Sequence, residues 1–179
     1  IKEDPVLGVK VNGLQEETVK DKRRVRSLIS KGLHRRQTGA TKLNLESSRS
    51  HTIFRMVIES RHKGSSSKKG KGSVRVSTLN FVDLAGSERL AKSGNVGVRA
   101  QESTQINLSL MQLGNVISKL SLGRPGDFIP YRNSNLTRIL QPSLGGYARC
   151  VIVATMSHAS LHAEETSHTL RFAARAKTV

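Results

Sequence analysis

Cysteine, tryptophan and acidic residues are the scarce components of this chain, and each shortage narrows what it can be. There is one cysteine, Cys150, which excludes an intramolecular disulfide and a cysteine-built zinc site. Its setting, Cys150-Val151-Ile152-Val153-Ala154, predicts a buried structural thiol rather than a nucleophile, and suits a reducing cytosolic or nuclear compartment. Tryptophan is absent and aromatics make up only 3% of the residues, which argues against single-strand nucleic-acid binding by base stacking. No apolar run approaches the roughly 20 residues of a membrane-spanning helix, so no membrane insertion is expected. Acids number 13 against 30 lysines and arginines, a net charge of +17. Such an excess points to a polyanionic partner: nucleic acid, an acidic membrane surface or an acidic protein. At 179 residues the chain suits one domain with a real core. It begins at Ile1, without a secretory signal and in sequence that reads like the middle of a domain, so a fragment or truncated product is expected.

The pattern along the chain alternates strands and helices, which places it in the α/β class. Leu7 to Val11 reads as a short strand closed by the turn pair Asn12-Gly13. Glu16 to Arg36 reads as a helix, with Val19, Val25, Leu28, Ile29 and Leu33 as its apolar stripe and a basic solvated face. His51 to Glu59 alternates like a strand, and the basic Gly/Ser stretch from Arg61 to Ser73 is a flexible hairpin connection. Arg99 to Leu120 carries Ile106, Leu110, Leu113, Ile117 and Leu120 at helical spacing. Asn133 to Gln141 suggests a short helix stopped by Pro142 and Gly145-Gly146. Arg149 to Met156 reads as a buried strand. Leu161 to Ala176 reads as a closing helix with Leu170, Phe172 and Ala173 toward the core.

The stretch that organises the rest is Val74 to Glu88, VRVSTLNFVDLAGSE. Val74, Val76, Leu79, Phe81 and Val82 predict a buried strand. It ends at Asp83 and turns through Ala85, Gly86 and Ser87. A carboxylate at a strand end before a glycine turn can sit beside Mg²⁺, with a backbone N–H beside a phosphate. An Asp that caps the next segment gives the same letters. Gly64 to Lys71 nearly spells a phosphate-binding loop, but its spacing is one residue too long, Gly72 stands where a Ser or Thr is needed, and it leads into a strand rather than a helix. A second polar loop, Asn44-Leu45-Glu46-Ser47-Ser48-Arg49-Ser50-His51, brings hydroxyls and an arginine one hairpin away from Asp83. Serines there can reach a hydrated Mg²⁺ or position a water, and Arg49 can pair with Glu88. Taken singly, they are equally turn residues and a surface ion pair.

NLESSRSH resembles the switch I sequence of kinesins, and LNFVDLAGSERL resembles switch II. Gln105 to Leu110, Ile129 to Arg132, Leu136 to Gln141, Ser143 to Gly146 and Leu170 to Lys177 resemble the later kinesin blocks in family order. The wording around Ala91 to Gly94 and Leu113 to Ile117 is similar to the centromere-protein-E-like kinesins. The resemblance covers essentially the whole chain. It implies the C-terminal half of a kinesin-type P-loop NTPase motor domain, a mostly buried central β-sheet flanked by helices. It further implies ATP and Mg²⁺ as cofactors, microtubules as partner, a second motor chain as a further one, and a cytoplasmic, microtubule-associated location such as the spindle. Carried over by position, Asn44 and Ser48 approach the nucleotide, Ser47 and Ser48 approach Mg²⁺ and the attacking water, and Asp83 holds Mg²⁺ through water. Gly86 offers its N–H to the γ-phosphate, Arg49 and Glu88 close the two switches, and Arg132 and Arg138 face the microtubule.

The chain departs from the family in three ways. No GxxxxGK[ST] segment occurs in residues 1–179, so the phosphate cradle is missing and the chain by itself is expected not to hydrolyse ATP. Leu108, Asn133 and Asn135 stand where the family has Lys, Asp and Lys, which removes two cations from the microtubule-facing surface. Tyr147 replaces an Asn after Gly145-Gly146. Two other classes compete: a non-enzymatic module that docks on microtubules or on another motor, and a basic nucleic-acid binder, for which no recognised motif is present.

Overall fold

The computed structural model describes residues 1–4, 8–38, 50–61, 74–86, 98–146 and 148–179. They fall into two units, Ile1–Glu17 with Ser87–Val179, and Thr18–Gly86. In the first unit β1 (Lys2–Asp4) pairs antiparallel with β2 (Gly8–Lys10), which sets Glu3 opposite Val9. The strand expected from Leu7 to Val11 is thus three residues long. The turn after it forms as its Asn-Gly pair dictates, with Gly13 at φ +76°, where a side chain would be strained.

In the second unit α1 spans Lys22–Thr38 rather than starting at Glu16. Asp21 sets the boundary: its Oδ1 accepts the Arg24 N–H at 2.9 Å, the bond of an N-cap. The glutamates at 16 and 17 precede the helix. The two long strands β3 (Thr52–Arg61) and β4 (Val74–Asp83) pair antiparallel in one unbroken register, from Thr52 opposite Asp83 to Arg61 opposite Val74. Phe54 meets Phe81 across the ladder with ring centroids 6.4 Å apart, and Arg55 Nε donates to Asn80 Oδ1 at 2.9 Å. Both are directly opposed pairs, the unit from which antiparallel sheets draw stability.

The strand character expected of Val74 to Asp83 is confirmed, and its burial is corrected. Val76 is 59% exposed and Phe81 56%. Within this unit the two strands contact each other far more than either contacts α1. A strand's apolar face is buried only where a second layer covers it, and the stripe of α1 is likewise open, with Leu33 exposed. The two sheets among the described residues are separate and two-stranded.

The buried core of the first unit is helical. α2 (Val98–Leu122) packs on α3 (Asn135–Leu144) and α4 (Ala163–Ala176). Leu113, Val116 and Ile117 of α2 and Leu136, Leu140 and Leu144 of α3 are buried, each set following the spacing of one helix face. A Gly-containing loop with Gly123 and Gly126 at positive φ joins α2 to a 3-10 turn at Tyr131–Asn133. α3 runs through Pro142 instead of stopping there. Burying Leu144 beyond it, about 1.5–3 kcal/mol, offsets the roughly 3 kcal/mol that an interior proline costs, and Gly145 closes the helix by donating its N–H to Gln141 O at 3.0 Å. Two further expectations are corrected. Residues 149–156 form no strand, and Cys150 is exposed rather than buried, because no described strand pairs with this extended segment. On α4, preceded by a 3-10 turn at Ser160–His162, Phe172 and Ala173 are half-buried but Leu170 is exposed. Among the described residues no helix is long and apolar enough to cross a membrane.

Candidate functional site

Asp83 ends β4, and the register of the hairpin places it opposite Thr52, next to the segment that enters β3. Its side chain is 70% exposed and receives a charge-assisted bond from Arg36, Nη1 to Oδ2 at 3.0 Å. The same guanidinium donates from Nε to Ser50 Oγ and from Nη2 to the Ser50 carbonyl, both at 2.9 Å. Arg36 is only 14% exposed and ties the C-terminal end of α1 to the segment entering β3 and to the end of β4. Its position at the end of α1 suits the helix dipole, and the structure adds these contacts to that role. Next to it, His51 Nδ1 accepts the Ala85 N–H at 3.0 Å, which puts the remaining ring proton on Nε2, and Ala85 is buried. Burial pushes the His51 imidazole below its ordinary pKa. The segment carrying Gly86 is thus anchored at Ala85, one residue before the glycine, which is half-buried.

One exposed carboxylate cannot hold a divalent cation alone, and among the described residues no three His, Cys, Asp or Glu side chains gather into a metal site. Asp83 could meet such a cation only through an intervening water, since its Oδ2 already accepts from Arg36. Asn44, Ser47, Ser48, Arg49 and Glu88, the other site residues expected from the sequence, lie outside the described residues. The sequence carried no signal for Arg36, since only the strand register brings a helix-end arginine onto Asp83. For His51 the signal was present in its place directly after the serine-rich loop.

A second constellation lies in the first unit. Ser134 caps α3, accepting the Thr137 N–H at 3.1 Å, and its hydroxyl lies 2.8 Å from Thr137 Oγ1. Thr137, fully buried, donates from its own hydroxyl to the Tyr131 carbonyl at 2.6 Å. This buried relay pins the 3-10 turn that carries Arg132 to the helix that carries Arg138. Both arginines converge on Glu3 of β1: Arg132 through Nε at 3.1 Å and through Nη2, Arg138 through Nη2 at 3.4 Å. Hydrogen bonding from Arg132, reinforced by the charges of Arg132 and Arg138, holds the Glu3 carboxyl below its usual pKa. Leu108, Asn133 and Asn135, the positions expected to depart from the family pattern, are all exposed, and Asn133 Nδ2 donates to Gln112 Oε1 at 3.2 Å.

The kinesin motor domain family model matches residues 1–179. Among curated relatives, the kinesin-like protein KIN-7N of Arabidopsis thaliana is 56% identical over 173 residues, covering 96% of this chain and 21% of its own length. The centromere-associated protein E of Homo sapiens is 52% identical over 177 residues, covering 99% of this chain and 6% of its own. Among solved structures, a KIF14 dimer in a two-heads-bound state with AMP-PNP, in complex with a microtubule, superposes with a TM-score of 0.88 at 41% identity. A fast kinesin superposes with a TM-score of 0.84 at the same 41% identity. Each covers 99% of this chain, which spans 49% and 48% of theirs, about half. With the family model matching from end to end and mixed helices and strands that superpose on solved kinesin motors, this chain belongs to the kinesin motor domain family.

Proposed function

We propose that this chain is the switch-bearing part of a microtubule-stimulated ATPase, binding Mg²⁺ and ATP together with a phosphate-binding loop that residues 1–179 do not spell. The observation that carries the proposal is the position of Asp83: an exposed carboxylate at the end of β4, in a chain that matches the family throughout. Bound Mg·ATP supplies the electrophilic phosphorus and the charge that develops in phosphoryl transfer. Asp83 orients a water of the metal shell, and the Gly86 N–H, in the segment anchored by His51, donates to a phosphate oxygen. Arg36 holds the Asp83 carboxylate in place through its three bonds. Ser47 and Ser48 position the attacking water, Ser48 and Asn44 contact the nucleotide, and Arg49 and Glu88 pair as the site closes. Arg132 and Arg138 dock on the acidic microtubule surface.

The 179-residue chain alone is expected to show only background ATP turnover, with or without microtubules. Joined to a family N-terminal half that contains GxxxxGK[ST], it turns over ATP, and Asp83→Ala lowers that rate by about 10- to 100-fold, as loss of an outer-sphere metal partner does. Turnover above background by residues 1–179 alone, abolished by Asp83→Ala, overturns the division of labour. The net charge of +17 also suits a second reading, a non-enzymatic module that docks on microtubules or on a motor chain. Failure of the joined protein to hydrolyse ATP while it still pellets with microtubules selects that reading.

A further inference from the structure

Glu3 is the one feature of the docking constellation that works against docking on an acid. It is a carboxylate, yet it stands among the cations that an acidic partner needs, 129 and 135 positions before them in the chain. The arginine it engages most closely is also the most open, for the Arg132 side chain is 75% exposed against 35% for Glu3 and 24% for Arg138. Arg132 offers Glu3 the Nε–Nη2 edge, a face that binds a carboxylate bidentately. Arg138 adds Nη2 to the same carboxylate, while its Nε is buried with no partner among the described residues. Ion pairs this exposed contribute little to folding stability. What the cluster does is fix where two guanidinium groups stand, and fill them.

We propose that Glu3 is an internal stand-in for the acidic partner: its carboxylate occupies Arg132 and Arg138 in the undocked protein, and a carboxylate of the microtubule surface displaces it on docking. This rests on the microtubule reading of Arg132 and Arg138 given above. The Asn133-Ser134-Thr137 scaffold keeps both arginines in register during the exchange, since its hydrogen bonds do not involve Glu3. The consequence is an interaction weakened by design and readily reversed, because each docking event must break an intramolecular pair of the same chemistry. The depressed Glu3 pKa keeps that competitor ionised throughout the neutral range.

The test compares Glu3→Gln with Glu16→Gln, an exposed acid outside the cluster whose removal changes the net charge equally. Microtubule co-sedimentation over a salt series and retention on a polyglutamate matrix are the two readouts. Glu3→Gln is expected to tighten microtubule binding about two- to fivefold at low salt, the worth of one exposed pair. It should also steepen the salt dependence and elute later than Glu16→Gln. Glu3→Asp, which keeps the charge, returns toward the unmodified protein, and in an Arg132→Ala background the gain from Glu3→Gln shrinks. Binding equal to or weaker than the unmodified protein, or a gain matched by Glu16→Gln, overturns the proposal. If the unmodified chain fails to pellet with microtubules while Glu3→Gln is still retained longer than Glu16→Gln on polyglutamate, the microtubule reading falls and the role of Glu3 stands.

Discussion

His51 shows how much of the candidate site hangs on single protonation states. Its Nδ1 can accept the Ala85 N–H only while the ring is neutral, and burial already disfavours the charged form. The folded pKa therefore lies below the ordinary value of 6.5, so the unfolded chain binds the proton more readily. The stability contributed by the neutral ring is complete above about pH 6.5 and is lost as pH falls from there toward the lowered folded value. Thermal melts at pH 7.5 and 5.5 are expected to show a drop that His51→Gln, which accepts a hydrogen bond but does not titrate, reduces. An equal drop in the variant assigns the pH response to other histidines. Arg36 teaches the complementary lesson. A basic residue at a helix C-terminus satisfies the helix dipole and looks complete in the sequence, yet its three bonds to Ser50 and Asp83 give it a second role at the mouth of the hairpin.

At the scale of elements, α3 and the 3-10 turn before it form a small self-contained device. Ser134 supplies the cap, and Thr137 closes a hydroxyl relay to Tyr131 in a place with no access to water. Thr137→Val keeps the shape but leaves the Tyr131 carbonyl without its partner, a loss of about 1–3 kcal/mol. Ser134→Ala removes the cap at about 1 kcal/mol. Because the two hydroxyls share one network, the double variant is expected to lose less than the sum. Denaturant melts of the four proteins decide it, and strict additivity would mean the relay is not a unit. The hairpin is the opposite kind of element: its register is fixed by opposed pairs such as Phe54–Phe81 and Arg55–Asn80, while its faces depend on whatever packs on them.

At the scale of the whole chain, charge and open apolar surface act together. A net charge of +17 keeps copies apart at low salt, while Val76, Phe81, Val151 and Val153 expose apolar side chains that water disfavours. Raising salt screens the repulsion and leaves the apolar attraction intact. The isolated chain is therefore expected to self-associate increasingly with salt in sedimentation velocity, and Phe81→Lys to shift it back toward monomer. A chain that stays monomeric at every salt concentration would show that these surfaces are covered in solution.

What the residues determine by themselves is local and chemical. Apolar spacing placed the α2 face; alternation placed β3 and a β-branched and aromatic run placed β4; Asp83 at a strand end, with the serine-rich loop before it, carried the family resemblance. Boundaries were misread where one local feature decides them, as the Asp21 cap does for α1 and as the burial of Leu144 beyond Pro142 does for α3. Pairing and cover were not legible at all, because a strand's apolar letters state what it prefers to touch and not whether anything touches it. Hence Cys150 and Val151 to Val153 read as buried and stand exposed. Only the tertiary structure could set Arg36 on Asp83 and Glu3 on Arg132 and Arg138, contacts between residues 47 to 135 positions apart. Such pairings follow from strand register and helix packing, which no local sequence pattern encodes.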